Sequence, residues 1–449
     1  MPSRKKSSNA SKPTTTLPVV VHQHVTCPGC GCVCDDLTVE VQGDQLLSVT
    51  PHCELANQWY RGLSNPQRRT TATINGTSVP ISQALEAAAK LLNAATSPVI
   101  YGLSHSSTAG QRAAAALADH IGSCIDTTAS RCHAPAIVAL QTVGESTSSL
   151  GEVRHRCDFV MFWGVDPVVT HPRHLERYSL DPTGMFVPGG RKDRHLVVVD
   201  VEQTATAERA DTFLQVEPGR DFEVIQALRL LIAGRTPQGT NWGANPQVLR
   251  ELAERMKTCR SGTVFFGLGL TRGDTAHRSV ENLLRLTTEL QTHTRFYARR
   301  MRLAGDVAGA DSVLTWQTGF PFAVSLGCGW PRYNPGEFSA NDLLEREEVD
   351  ACLLVGGETV QTLSDRARHY LDRIPTIVLA SQNEQRPFVG SVNFTTAVYG
   401  VHRSGTAYRM DEVPLPLPQL MDSELPSDCE ILESLTERTT YRPGWGGKS

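Results

Sequence analysis

The run Cys27-Pro28-Gly29-Cys30-Gly31-Cys32-Val33-Cys34, followed at a distance by Cys53, is where soft metal ligands are densest in the chain. Thiolates at 27, 30 and 34 sit on a glycine-containing loop able to fold around a small inorganic core, and a hairpin can return Cys53 as a fourth ligand. Four such thiolates suit an iron–sulfur cluster or zinc. Zinc ribbons pair two C-x2-C knuckles, whereas here a single C-x2-C is followed by a C-x3-C step and one distant cysteine. A cubane [4Fe–4S] cluster is the expected occupant, with zinc or uncoordinated thiols as the alternatives.

A second thiol lies in Ser130-Arg131-Cys132-His133-Ala134-Pro135, between the expected strand Cys124-Ile125-Asp126 and a helix. A thiolate at a helix N-terminus beside Arg131 and His133 should have a lowered pKa and could act as nucleophile or metal ligand; a small packing residue is the bland alternative. Trp163-Gly164-Val165-Asp166-Pro167 ends a strand in a polar loop, where open α/β sheets bind ligands. His171 and His174 follow, spaced to share a helix face as a metal pair or to serve as cap and surface residues. Gly267, Gly269 and Gly273 after Val264-Phe265-Phe266 resemble a phosphate turn without matching the dinucleotide fingerprint. Arg299, Arg300 and Arg302 form a cluster suited to phosphates or a formate-like anion, or to a solvated face.

The elements that must position these groups alternate. Helices are expected at 82–92, 109–121, 172–179, 222–233, 278–290 and 360–371, and strands at 99–101, 159–163, 196–199, 263–268, 352–355 and 376–379. Continuous apolar strands between amphipathic helices indicate parallel sheets covered on both faces. The fold class is therefore α/β: a small β-rich iron–sulfur cap and two doubly wound parallel-sheet subdomains. The expected organisation is a disordered basic tail over 1–20, a cysteine-rich cap over 21–65, one α/β subdomain over 66–235, and a second with the C-terminal segment over 236–449. Insertion of one subdomain within the other stays open.

With 449 residues, 40% apolar and 20% charged, the chain can bury more than one core. Its net charge of -4 offers no global field for nucleic acid. No apolar run reaches membrane-helix length and the first twenty residues lack a secretory apolar segment, so a cytoplasmic protein without membrane or nucleic-acid partners is expected.

Several stretches resemble the B subunit of formylmethanofuran dehydrogenase, within the molybdopterin oxidoreductase group: CPGCGCVCDD with Cys53, DTTASRCHAPAIVALQ at 126–141, THPRH at 170–174, FFGLGLTRG at 265–273, LTWQTGFP at 314–321, PRYNPGE at 331–337, NDLL at 341–344 and GTAYRM at 405–410. The resemblance implies a catalytic subunit interconverting CO2, as formate, and an N-formyl group on a methanofuran-type amine. It implies a [4Fe–4S] cluster on Cys27, Cys30, Cys34 and Cys53, and molybdenum or tungsten, carried by a bis-molybdopterin guanine dinucleotide, on Cys132. His133 and Arg302 complete the catalytic set. Gly164, Asp166, His171, His174, Asp200, Thr204, Gly267 and Gly269 are the cofactor-binding candidates. The β-barrel that covers the pterin in related enzymes is expected on a separate subunit, with further subunits of the complex as partners. The chain departs from the family's nucleotide-binding turn at Asp200-Val201-Glu202-Gln203-Thr204, where a carboxylate stands in place of an arginine. That departure motivates a second reading: a redox-silent structural subunit of a bacterial formyltransferase/hydrolase complex that releases formate in formaldehyde oxidation.

Overall fold

The computed structural model describes residues 17–64, 71–273, 275–303, 305–385 and 387–442. The expected tail lies outside these residues up to position 16, and a strand already begins at Val20.

Two sheets carry the molecule. A five-stranded, wholly parallel sheet has the spatial order Thr212–Gln215, His195–Asp200, Phe159–Trp163, Ser261–Phe266, Arg295–Arg300. A nine-stranded sheet has a parallel centre of Cys124–Thr127, Pro98–Gly102, Ala351–Val355, Thr376–Ser381 and Val392–Thr396, flanked by short antiparallel strands. The nine-stranded sheet takes its strands from both ends of the chain and the five-stranded sheet from the middle. The two are therefore nested, and the boundary expected at 235/236 falls between two helices that cover one face of the five-stranded sheet. Sequence periodicity is local and does not record which distant strands pair.

Alternation along the strands assigns the faces. Met161, Trp163, Val197, Val199, Val264 and Phe266 pack under the helices Asp221–Ile232, Pro246–Thr258 and Ala276–Leu290. Val160, Phe162, Leu196, Val198 and Phe265 face the other way, into a core shared with Cys27, Cys30, Cys32, Cys34 and Tyr60. The cysteine-rich segment is thus seated on a sheet face. It consists of the antiparallel strands Val20–Val25, Leu37–Gln42 and Gln45–Thr50, the loop between the first two, and the helix Glu54–Arg61. Burying each large side chain of this interface contributes about 1.5–3 kcal/mol. Among the described residues no helix is long and apolar enough to cross a membrane.

Two expected helices are broken. Over 172–179 the chain makes a single π-helical turn, Leu175–Ser179, after the short helix Pro167–Thr170, with Pro172 in the turn between them. Over 360–371 a 3-10 turn, Gly357–Thr362, precedes the helix Asp365–Leu371, which Ser364 caps.

Asp126 ties the nine-stranded sheet together where its strand ends. The buried carboxylate accepts from Ala323 N (2.9 Å), Ala340 N (2.7 Å) and Ser130 Oγ (2.7 Å). Asp126→Asn would set an NH2 group against these donors and leave a buried N–H without an acceptor. A loss of about 2–4 kcal/mol is expected in urea unfolding, and an unchanged midpoint would refute this role.

Candidate active site and cysteine nest

Parallel register brings the C-terminal ends of Phe159–Trp163, Ser261–Phe266 and Arg295–Arg300 level, with Phe266 opposite both Trp163 and Arg300. Gly164, Gly267 and Arg302 therefore emerge at one sheet edge. From the other sheet, Cys124–Thr127 ends beside Gly102 and leads within a few residues to Cys132. The two edges are joined by Thr271 Oγ1 donating to Cys132 O (3.0 Å). They are joined again by Asp311, which accepts from Thr127 Oγ1 (2.9 Å) and pairs with Arg302 (3.5 Å).

Cys132, His133 and Arg302 meet here. His133 is 0% exposed, and neither ring nitrogen has a partner at hydrogen-bond distance. Burial, then Arg302 and Arg300, hold its pKa well below the ordinary value, so the imidazole is neutral. The lowered thiol pKa expected for Cys132 is corrected. The residue closes the one-turn helix Ala129–Cys132, and Arg131 turns outward to donate to Thr362 O. Desolvation and then Asp311 push the thiol up to about 12, against the pull of Arg302.

The arginine cluster is not a solvated face. Arg299, Arg300 and Arg302 are all buried, the first two on a strand, and they face three carboxylates that sequence reasoning does not single out. Glu145 pairs with Arg300 (3.2 Å), Asp311 with Arg302, and Glu412 with all three arginines. Arg302 Nε and Nη1, Asp311 Oδ2, Glu145 Oε1 and Glu412 Oε1 lack hydrogen-bond partners. So many unsatisfied buried polar atoms around one thiol and one imidazole mark a place built for a polar occupant.

The remaining candidates lie at or near the same sheet edge. Gly164, at φ +59°, and Gly269 press backbone to backbone, with Gly269 N donating to Gly164 O (2.9 Å); a Cβ on either would stand within 3 Å of the other. Gly267 packs on Val165 and Gly164. Asp166 accepts from Ala205 N, Thr206 N and Thr206 Oγ1, which orders the loop after Asp200. Asp200 accepts from Val201 N, and Thr204 accepts from Ala207 N. His171 and His174 do not stand on a common helix face. His171 Nε2 donates to Arg302 O (2.8 Å), and burial lowers its pKa to about 4. His174 is packed among Phe162, Phe265 and Tyr178, with Nδ1 on Ser179 Oγ.

Cys27, Cys30, Cys34 and Cys53 line one small cavity together with Leu37, Leu55 and Arg173. Gly29 N donates to Cys27 Sγ (3.4 Å), and the Cys32 thiol lies between those of Cys30 and Cys34. Burial raises Cys27 and Cys53, whereas the Cys32 contact and the Arg177 and Arg173 guanidiniums bring Cys34 down to about 7. Both arginines also clamp the acidic pair after the loop. Arg173 forks onto Asp36 (2.7 and 2.8 Å), and Arg177 reaches Asp35 (2.8 Å). The available signal is Asp-Asp directly after the last loop cysteine, with two arginines one helical turn apart elsewhere.

The nest abuts the active edge. Gly31 N donates to Leu303 O (3.2 Å), Gly31 O accepts from Met410 N (2.9 Å), and a Cβ at Gly31 would lie 2.1 Å from Arg302 O.

The chain thus has a two-sheet α/β fold, with a soft thiol where the parallel strands of both sheets end and a cysteine nest packed against that edge. In agreement, the chain superposes on acetylene hydratase from Pelobacter acetylenicus with TM-score 0.68 at 12% identity, covering 93% of this chain and 69% of that one. It superposes equally, at TM-score 0.68 and 21% identity, on a chain of the formyltransferase/hydrolase complex from Methylorubrum extorquens in complex with methylofuran, over 82% of this chain and 98% of that one. No family model matches the sequence. It is 36% identical over 430 residues to the B subunit of tungsten-containing formylmethanofuran dehydrogenase 2 from Methanocaldococcus jannaschii, covering 94% of this chain and 99% of the relative. The same subunit of Methanococcus maripaludis is 33% identical over 427 residues, 93% and 98% respectively. The chain belongs to the family of formylmethanofuran dehydrogenase B subunits.

Proposed function

We propose that this chain is the B subunit of a formylmethanofuran dehydrogenase-type complex that interconverts CO2, as formate, and the N-formyl group of a methanofuran-type carrier. The observation that carries the reading is the convergence of Cys132, His133 and Arg302 among buried, loosely ion-paired side chains where the parallel strands of two sheets end. The donor set fits the cofactors this reading requires. Cys132 would be the single soft ligand for molybdenum or tungsten, and Cys27, Cys30, Cys34 and Cys53, which line one small cavity, would be the ligands of a [4Fe–4S] core. When bound, the metal–pterin centre supplies exchange of an electron pair with the carbon of formate or CO2, and the cluster carries electrons away.

The protein groups have separate tasks. Arg302 presents a guanidinium fork to a small carboxylate, with its backbone fixed by His171 and Gly31. Neutral His133, its pKa held low by burial and the arginines, would accept the proton that formate oxidation releases only in passing and hand it on. Among the cofactor candidates, the backbone at Gly164, Gly267 and Gly269 and the loop from Asp200 to Thr204 would meet a dinucleotide, while Asp166, His171 and His174 position their neighbours. Other subunits complete the enzyme, including a separate β-barrel over the pterin.

The test is metal and pterin analysis, with visible absorbance, on the complex purified anaerobically from its native host. About four irons, one molybdenum or tungsten and a pterin per chain are expected. Iron alone would leave a structural cluster in a redox-silent complex, and zinc alone would reassign the nest. Cys53→Ser is expected to remove most of the cluster absorbance and lower the melting temperature. Parental absorbance and melting in that variant would overturn the cluster.

A further inference from the structure

Glu412 occupies a costly position. It lies in the turn Arg409–Val413 of the hairpin formed by Gly405–Tyr408 and Pro414–Leu417, at φ +59°. That left-handed conformation disfavours any residue with a Cβ, by about 1 kcal/mol or more. Turn closure needs only the backbone, since Glu412 N donates to Arg409 O (2.8 Å) and Arg409 N to Val413 O (3.0 Å). The side chain has a different engagement. It is 37% exposed, yet its carboxylate reaches inward to Arg299 (2.5 Å), Arg302 (3.5 Å) and Arg300 (3.8 Å), all of which are nearly closed to solvent. One carboxylate oxygen, Oε1, stands 3.5 Å from Arg302 and 3.8 Å from Arg300 without a close hydrogen bond, and Arg302 Nη1 is held only by its 3.5 Å ion pair with Asp311, while Nε has no hydrogen-bond partner. Three guanidiniums are balanced by Glu145, Asp311 and Glu412, of which Glu412 has by far the most exposed side chain, 37% against 8% and 7%. Its departure would leave the buried group one positive charge in excess.

We propose that Glu412 is a displaceable carboxylate plug that sets the access of a small monoanionic oxyanion, of formate's charge and size, to Arg302. The plug rests on the function proposed above for the identity of the physiological anion, and on the geometry alone for anion binding. An incoming oxyanion exchanges with the Glu412 carboxylate at the same guanidiniums, so anion binding competes with an internal group. Such a site is tuned for weak, reversible occupancy.

The test uses the intact complex carrying E412Q, which keeps side-chain length, and E412G, which suits the positive φ. Binding of sodium formate and, separately, sodium nitrate is measured by titration calorimetry at constant ionic strength. At least one variant that melts like the parent is expected to bind both anions at least about tenfold more tightly than the parent does. Equal or weaker binding in both variants would overturn the plug, as would a gain that sodium chloride reproduces. Formate-dependent electron release by the parent complex is read separately. Its absence would sink the proposed function while nitrate binding still reported on Glu412, whereas unchanged nitrate binding with turnover intact would sink the plug alone.

Discussion

Gly31→Ala is expected to disrupt the junction between the cysteine nest and the catalytic edge. The new methyl group would lie 2.1 Å from the carbonyl oxygen of Arg302, well inside contact distance, and the obstacle is backbone with no rotamer to yield. Relief requires the loop to retreat, which breaks both Gly31 N–H to Leu303 O and Met410 N–H to Gly31 O. A second close approach, Gly305 beneath the carbonyl of Pro28, would be lost in the same retreat. The cost is about 3 kcal/mol or more from overpacking and two lost hydrogen bonds. Denaturant midpoints and iron content should fall together, while Gly76→Ala, at an open turn with nothing within 4 Å, should leave iron content unchanged. A Gly31→Ala complex with parental stability and iron content would show that the junction is not rigid.

Arg302→Met carries the second large effect. The substitution keeps most of the stem and removes the charge, leaving Asp311 and Glu412 with one fewer counter-ion in a buried setting. Breaking a buried pair from one side costs about 3–5 kcal/mol. Under the proposed function, turnover is expected to fall by about 10²–10³ beyond the loss of folded protein, because the group proposed to orient the carboxylate is gone. Arg302→Lys separates the two effects, since it restores charge without the planar fork. Stability should largely return and turnover should not. If Arg302→Lys restored both, a point charge would suffice and the fork assignment would be wrong.

The features legible in sequence are those written in local patterns. Phe159–Trp163 reads as an apolar strand in either setting, and the Gly43-Asp44 turn between two alternating segments marks its hairpin. The family stretches locate Cys132, His133 and Arg302 without showing that they meet. What stays hidden depends on long-range pairing. Arg295–Arg300 is a strand whose last two arginines are buried, contrary to the usual fate of charged residues, because Glu145 and Glu412, from two distant segments, face them. His171 reads as a ligand because histidines three apart suggest a helix face, but no continuous helix carries the two and the His171 ring reaches a carbonyl instead. Glu412 gives no signal at all, since a left-handed backbone at glutamate is invisible in composition.

The nesting of the sheets has a consequence for how the protein is made. Pro98–Gly102 leaves the ribosome long before Ala351–Val355, the strand that must lie beside it, and the whole five-stranded unit is synthesised in the interval. The middle of the chain can complete its sheet early, while the strand leading to Cys132 lacks one neighbouring layer until translation is nearly over. The cleft between the sheets therefore comes into being as one of the last acts of biosynthesis. A nascent chain truncated before residue 351 would lack both that strand and the 398–421 segment that packs against the cysteine nest.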